Sequence, residues 1–441
     1  MGSCKFNFHT CGNHKPNFCD SCEDGDNYEF FQSAKSMKLR QYQTELSERG
    51  ADVLSEFGIV YFAMEVRTGK TLTALNTAEL FGAKNVLFLT KKKAIGSIES
   101  DFEKFGFSFD LTVINDESMH KLTDEFDLVI HDEHHRFGSF PKPGKATKLF
   151  KQKYSMLPMI FLSGTPHPES YSQIYHQFWV SLYSPFNEVS FYKWSHNFVN
   201  IKVKELGFGK VNDYTDANKE LIDSYVDKYF IRFTQKDAGF ETNVIENVLK
   251  VEMKPSTYAM CKRLKNDLVI EGSDEVILAD TPVKLMQKLH QMYSGTVKFE
   301  SGNRMVLDTS KIDFIKERFK SNKIGIFYKF KAEWDMIKEA FGSDVCQDVE
   351  EFNSTDKNIA LQIVSGREGI NLSSADYLVY INIDFSAVSY FQSRDRLTTM
   401  DRKSNEIFYV FSNRGIEEKI YKSVLKKKDF TLSVFKKEFV L

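Results

Sequence analysis

Two short stretches carry the residue types that phosphate chemistry needs. Residues 63–71, AMEVRTGKT, close on Gly69-Lys70-Thr71. That is the end of a phosphate-binding loop, in which backbone N–H groups and a lysine cradle the anion. The usual spacing asks for a second glycine where Met64 stands, and a looser variant asks for it where Arg67 stands. Thr68 and Gly69 would line the loop, Lys70 would reach the β and γ phosphates, and the Thr71 hydroxyl would hold Mg²⁺. Glycine is required only where φ is positive or where phosphate touches backbone, so Arg67 is read as a position needing neither. The second stretch, FDLVIHDEHH, ends an apolar run in Asp132-Glu133. An aspartate at the carboxyl end of a strand can hold Mg²⁺ through water, and the next glutamate can polarise an attacking water. Two other readings compete, a zinc site from His131, His134 and His135, and a solvated acidic turn. The zinc reading lacks the HExxH spacing, and neighbouring strand residues point to opposite faces.

These residues act only if regular elements hold them. The runs GIVYFAM, NVLFLT, LTVIN, FDLVIHDE and MIFLSGTP are continuous and rich in β-branched or aromatic residues, which predicts buried strands. Between the first two, TLTALNTAELFG places Leu72, Leu75 and Ala78 at helical spacing, with Gly82 as a stop. The loop therefore follows a strand and opens a helix, whose positive end faces the anion. A second series, KIGIFYKF, NIALQIVS, YLVYINID and EIFYVFSN, repeats the pattern. Strand–helix alternation predicts an α/β fold with parallel sheets covered on both faces. Residues 181–305 show no clean strand series and read as mainly helical. The expected organisation is a small head at 1–36, a first lobe at 37–180, this helical region at 181–305 and a second lobe at 306–441.

A chain of 441 residues holds two or three domains at roughly 150 residues each. With 59 basic and 61 acidic residues its net charge is -2, so a nucleic-acid partner would need local basic patches. Lys91, Lys92 and Lys93 follow NVLFLT at its carboxyl end, the ligand-facing edge of an open α/β sheet. Lys329 and Lys331 stand at the matching end in the second series, and Lys142, Lys145 and Lys148 form a weaker run. Trp179, Trp194 and Trp334 could stack bases, although core packing is the commoner use of the ring. No apolar run reaches the length of a membrane span and the first residues lack signal-peptide order, so a soluble, cytoplasmic chain with no membrane partner is expected. Four of the six cysteines fall in the first 22 residues. In CGNHKPNFCDSC, Cys11, His14, Cys19 and Cys22 could close a tetrahedron on Zn²⁺, with Cys4 and His9 as spare candidates.

In order and spacing, the motifs resemble those of superfamily 2 helicases, and within them the Swi/Snf-like DNA translocases, particularly compact versions of phage type. The resemblance spans about residues 38–430. LRQYQ (39–43) resembles the Q motif, which implies that Gln43 reads adenine. MEVRTGKT resembles motif I, LFLTKKKAI sits where motif Ia meets the nucleic-acid backbone, and DEHH resembles motif II. LSGTP (162–166) resembles motif III, in which Ser163 and Thr165 couple ATP state to strand grip. SKIDFI (310–315) and IGIFYKF open a second lobe as in that family. SGREGINLSSAD (365–376), with Gly369 at the nucleotide, resembles motif V, QSRDR (392–396) motif VI, and GIEEKIYKSVLKKKDF (415–430) the closing helix.

The resemblance implies two RecA-like lobes sandwiching ATP and Mg²⁺. Lys70, Thr71, Asp132 and Glu133 would come from the first lobe, and Arg396 and Gln392 from the second. It further implies DNA as partner, duplex or branched in preference to RNA, with replication or recombination proteins as further partners. Motif VI departs from the pattern: the second arginine belongs three residues after Arg396, where Thr399 stands. Arg394 or Arg402 could take its place. Two other readings stay open, a motor subunit of a restriction or defence complex, and a zinc-bearing nucleic-acid-binding protein with a decayed ATPase.

Overall fold

Every apolar run named above forms a strand, and the strands gather into two parallel sheets of six. The computed structural model describes residues 37–426 apart from 207–208, 242, 367–369, 400–401 and 403. The first lobe contains β1 (Ile59–Met64), β2 (Asn85–Thr90), β3 (Asp110–Asn115), β4 (Leu128–His131) and β5 (Met159–Ser163). After a hairpin of β6 (Lys202–Leu206) and β7 (Gly209–Asp213), β8 (Phe230–Phe233) completes a sheet of order β3-β2-β4-β5-β1-β8. The chain then supplies β9 (Asn243–Val251), the short pair β10 (Val269–Glu271) and β11 (Val276–Leu278), and the pair β12 (Thr296–Lys298) and β13 (Arg304–Val306). β14 (Ile324–Tyr328), β15 (Val345–Cys346), β16 (Asn358–Gln362), β17 (Tyr377–Tyr380) and β18 (Ser404–Ser412) follow. The second sheet has the order β15-β16-β14-β17-β18-β9.

The central strands read as unbroken apolar runs because both of their faces are covered. Successive residues of β1 go to opposite sides. Tyr61 packs with Phe161, Phe178 and Phe230 on one side, whereas Val60 and Phe62 belong to the cluster of Phe88, Ile130, Leu162 and the helix residues Ala74, Leu75 and Ala78 on the other. Burying each such side chain contributes about 1.5–3 kcal/mol. Helix α1 (Gln41–Phe57) lies on helix α2 (Lys70–Phe81). Their approach requires Gly50, where a Cβ would fall 2.5 Å from Phe62 Cζ and 2.9 Å from Thr77 Oγ1.

The expectation of a mainly helical stretch over 181–305 is corrected. The region carries β6 through β13, and two of these, β8 and β9, close the edges of the two sheets. Its helices Pro255–Asp267 and Pro282–Tyr293 share a core with the second sheet, through Cys261, Leu264, Leu289 and Met292 against Phe327 and Leu378. β8 is four residues long, and β9 is an edge strand whose apolar residues are interrupted by Glu246, Asn247 and Lys250, so neither forms a continuous apolar signal. Trp194 is wholly buried against Phe198, at 5.0 Å between rings, which makes it core. Trp179 lies under the Lys151 ammonium, and Trp334 stacks on Tyr328. Among the described residues no helix is long and apolar enough to cross a membrane.

Candidate nucleotide site between the lobes

The loop between β1 and α2 is braced from α1. Gly69 adopts φ +80°, and a Cβ there would fall 2.1 Å from Gln43 Nε2, so glycine is required on both counts. Gln43, the expected adenine reader, is buried against this loop. Its Oε1 accepts from the Arg40 N–H at 2.9 Å and its Nε2 donates to Gly69 O at 3.4 Å. Tyr42 stacks on Phe233 and its hydroxyl donates to Thr68 O at 3.3 Å, while the Thr68 hydroxyl donates to Glu65 O at 2.7 Å. Lys70 Nζ donates to Met64 O at 2.9 Å and Glu65 O at 3.2 Å. Burial holds its pKa below the usual lysine value, against the pull of Glu133 and Asp132. Thr71 follows in the first turn of α2, partly buried.

Arg67 corrects the expectation that its position needs no positive φ. It adopts φ +63°, and its side chain reaches out of the loop to the opposite lobe. Nη1 donates to Thr398 O, and Nη2 donates to Arg396 O at 2.6 Å and Asn371 Oδ1 at 3.3 Å. Burial, reinforced by Arg396 nearby, lowers its pKa to about 10.

The carboxylate pair sits at the carboxyl end of β4. Asp132 accepts from the Thr90 hydroxyl at 3.0 Å and from the Glu133 N–H at 2.9 Å. Burial, then the neighbouring Glu133 charge, raises the pKa of Asp132 to about 6. Glu133 moves the other way. Burial opposes its ionisation, but His135, Lys70, Lys91 and Arg396 outweigh it and hold the group below the usual glutamate value. Glu133 is thus held ionised by the cations around it. His135 Nδ1 lies 3.3 Å from Glu133 Oε2 and 2.9 Å from Ser163 Oγ, and Ser163 Oγ accepts from the Thr165 N–H at 3.1 Å. One histidine thus joins the carboxylate to the LSGTP turn.

The three histidines do not converge on a metal. His131 and His134 meet through their Nδ1 atoms at 2.6 Å, His131 Nε2 reaches Asp116 at 3.2 Å, and His134 Nε2 reaches Gln177 O at 2.8 Å. No group of three or more His, Cys, Asp or Glu among the described residues could hold a metal ion. Cys11, His14, Cys19 and Cys22, with the zinc expected there, lie outside the described residues, as does Gly369.

The second lobe meets these groups across a cleft of about 510 Å³, lined by Glu65, Glu133, Thr165, Gln235, Gln392 and Asp395 among others. Gln392 Nε2 donates to Glu133 Oε2 at 3.3 Å. Arg396 is buried in the single turn Asp395–Leu397, its Nη1 3.5 Å from Ile370 O, and its charge acts on both Lys70 and Glu133. Thr165 Oγ1 and Gln392 Oε1 are buried with no hydrogen-bond partner among the described residues. Such atoms at a cleft suit a polar ligand, since burying them unpaired is costly. The ammonium, guanidinium and hydroxyl donors fit a triphosphate, and the Thr71 and Asp132 oxygens fit Mg²⁺.

The chain is similar to SWI2/SNF2 ATPase cores along nearly its whole length. Against the Sulfolobus solfataricus SWI2/SNF2 ATPase core in complex with dsDNA, identity is 18% and TM-score 0.41, over 92% of this chain and 93% of that one. Against the Sulfolobus solfataricus SWI2/SNF2 ATPase core domain, identity is 16% and TM-score 0.39, over 91% and 90%. No family model matches the chain, and no curated protein does. Both likenesses are too distant to assign chemistry, which rests on the cleft itself.

The remaining expected residues fall in several places. Lys91 acts on Glu133 and Asp116, at the rim of the site, whereas Lys92 and Lys93 are exposed on the turn Lys92–Ala94. Lys329 pairs with Asp384 and sits over the Phe385 ring. With exposed Lys331 it lines a second cavity of about 400 Å³, beside Lys298, Arg304 and Gln362. Lys142, Lys145 and Lys148 are exposed. Arg394 pairs with Glu246 at 3.6 Å, and Arg402 donates to the carbonyls of Ser373 and Ala375 at 3.2 and 2.7 Å. The sequence reading missed three residues at the site. His135 stands out in the sequence only as a candidate metal ligand. Gln235, whose Nε2 donates to Val66 O at 3.0 Å, lay in the stretch read as helical. Arg67 did leave a signal, a long side chain where the motif asks for glycine.

Proposed function

We propose that this chain is a nucleic-acid-stimulated ATPase that uses ATP hydrolysis to translocate on DNA, remodelling or unwinding duplex or branched DNA in replication, recombination or repair. The observation that carries the reading is the convergence of Lys70 and Glu133 from one sheet edge with Gln392 and Arg396 from the other. In this reading Lys70 binds the β and γ phosphates, and ionised Glu133 accepts a proton from the attacking water. Arg396 stabilises the charge that develops on the transferred phosphoryl group. Thr71 and Asp132 would hold Mg²⁺, which neutralises phosphate charge when bound. His135 would pass the state of Glu133 to Ser163 and Thr165, and so to the strand grip.

The grip is assigned to Lys91, Lys92 and Lys93 in the first lobe and to Lys329 and Lys331 in the second. Preference for duplex DNA follows from the motif resemblance, because the contacts themselves would read backbone. Zinc in the head rests on the spacing of Cys11, His14, Cys19 and Cys22 alone.

Phosphate release, titrated with single-stranded DNA, duplex DNA and RNA at one salt concentration, tests the reading. Turnover is expected to rise with duplex DNA, and Lys70→Ala is expected to remain at background. Equal, negligible turnover in both proteins would favour the zinc-bearing binder with a decayed ATPase. A further expectation concerns salt. Log affinity for duplex DNA should fall with log salt by about 0.9 per phosphate contacted, and Lys92→Ala should reduce that slope by about 1 if its contact is lost. Binding titrations at four or five salt concentrations measure it.

A further inference from the structure

Arg67 holds φ +63° in the phosphate loop, a conformation glycine adopts freely and a long side chain does not. Its guanidinium leaves the first lobe altogether. The acceptors it reaches, Thr398 O, Arg396 O and Asn371 Oδ1, belong to one tied unit of the second lobe. The Leu372 N–H donates to the same Arg396 carbonyl at 3.1 Å, and the Ser373 N–H donates to Asn371 Oδ1 at 3.1 Å. The Thr398 N–H donates to Asp395 O at 3.2 Å, and Asn405 Nδ2 donates to the Thr398 hydroxyl at 2.8 Å. A planar fork with several donors can hold two carbonyls and an amide oxygen at once, which an ammonium on a single flexible stem does poorly. Thr399 stands where a second motif VI arginine was expected; Arg67 brings a guanidinium to the same turn from the other lobe.

The geometry points to Arg67 as a positioning residue, an inter-lobe latch that seats the Arg396 turn against the phosphate loop. Its contacts are protein–protein hydrogen bonds, so it acts through the Arg396 backbone and not on the substrate. Gln392 to Glu133 at 3.3 Å adds a second hydrogen bond across the same cleft. The catalytic consequence rests on the ATPase reading above, whereas the latch itself rests on the contacts alone.

Arg67→Gly separates the two roles, because glycine suits the local φ and removes only the side chain. Spin labels carried on unnatural amino acids at the exposed positions Glu103 and Lys338, one in each lobe, report the inter-lobe distance without nucleotide. The variant is expected to lengthen and broaden that distance relative to the parent. It should lower kcat for DNA-stimulated ATP hydrolysis by about tenfold or more, with KM for ATP moving less than about threefold. Its melting temperature should be unchanged or higher, and Arg67→Lys should recover only part of kcat. An unchanged distance distribution overturns the latch, whatever the ATPase does. A lengthened distance with unchanged kcat overturns the positioning of Arg396. A parent protein without turnover overturns the ATPase reading, and the distance comparison then still decides the latch.

Discussion

Arg396→Ala is expected to lower DNA-stimulated ATP turnover by about 10³–10⁵-fold while the protein still binds nucleotide. Arg396 is a cation of the second lobe, 8% exposed, with its charge felt by both Lys70 and Glu133. A guanidinium so placed contributes most when charge develops on the phosphoryl oxygens, so its loss should appear in kcat and much less in binding. Arg396→Lys should not restore the rate, since an ammonium lacks the planar fork. Phosphate release at saturating ATP, with a fluorescent-nucleotide titration of the same variants, measures both quantities. Full turnover in Arg396→Ala would move the role to another cation. Arg394 would then be the next to test, despite its pairing with Glu246 at 3.6 Å.

Lys311→Met is expected to cost the second lobe about 3–5 kcal/mol of stability. Lys311, on the helix Ser310–Arg318, meets Glu417, on the helix Glu417–Leu425, at 2.6 Å with both side chains fully buried. The ammonium also donates to Ile381 O at 3.2 Å, and the carboxylate accepts from the Ser412 hydroxyl at 3.1 Å. Gly415 leaves room for this carboxylate, since a Cβ there would fall 2.0 Å from Glu417 Oε2. Removing the lysine alone strands a buried charge, which is the costly change. Lys311→Met with Glu417→Leu removes both charges and should cost markedly less. Urea unfolding of the three variants decides it, read on the transition of the second lobe. Equal losses in the single and double variants would mean that packing, and not the stranded carboxylate, sets the cost.

The residues alone determined the central strands of both sheets, the strand-to-helix loop at Gly69 and the place of Asp132 and Glu133 at a strand's carboxyl end. A strand covered on two faces must be apolar at every position, and a loop that bends at Gly69 before a helix has few sequences open to it. These are local demands, written within a dozen residues. The edges were not legible. β8 is short, and β9 faces solvent along half its length, so its polar residues concealed a strand that pairs with β18 from end to end. The site was legible as residue types and not as contacts. In the sequence Arg67 reads as a tolerated oddity in a loop, and His135 as a candidate metal ligand. What Arg67 and Gln392 touch lies far along the chain, 331 residues away for Arg67 and Thr398 and 259 for Gln392 and Glu133. No spacing rule reaches that far. Only the packing of the two sheets brings those atoms within hydrogen-bonding distance, and that packing decided which residues share the cleft.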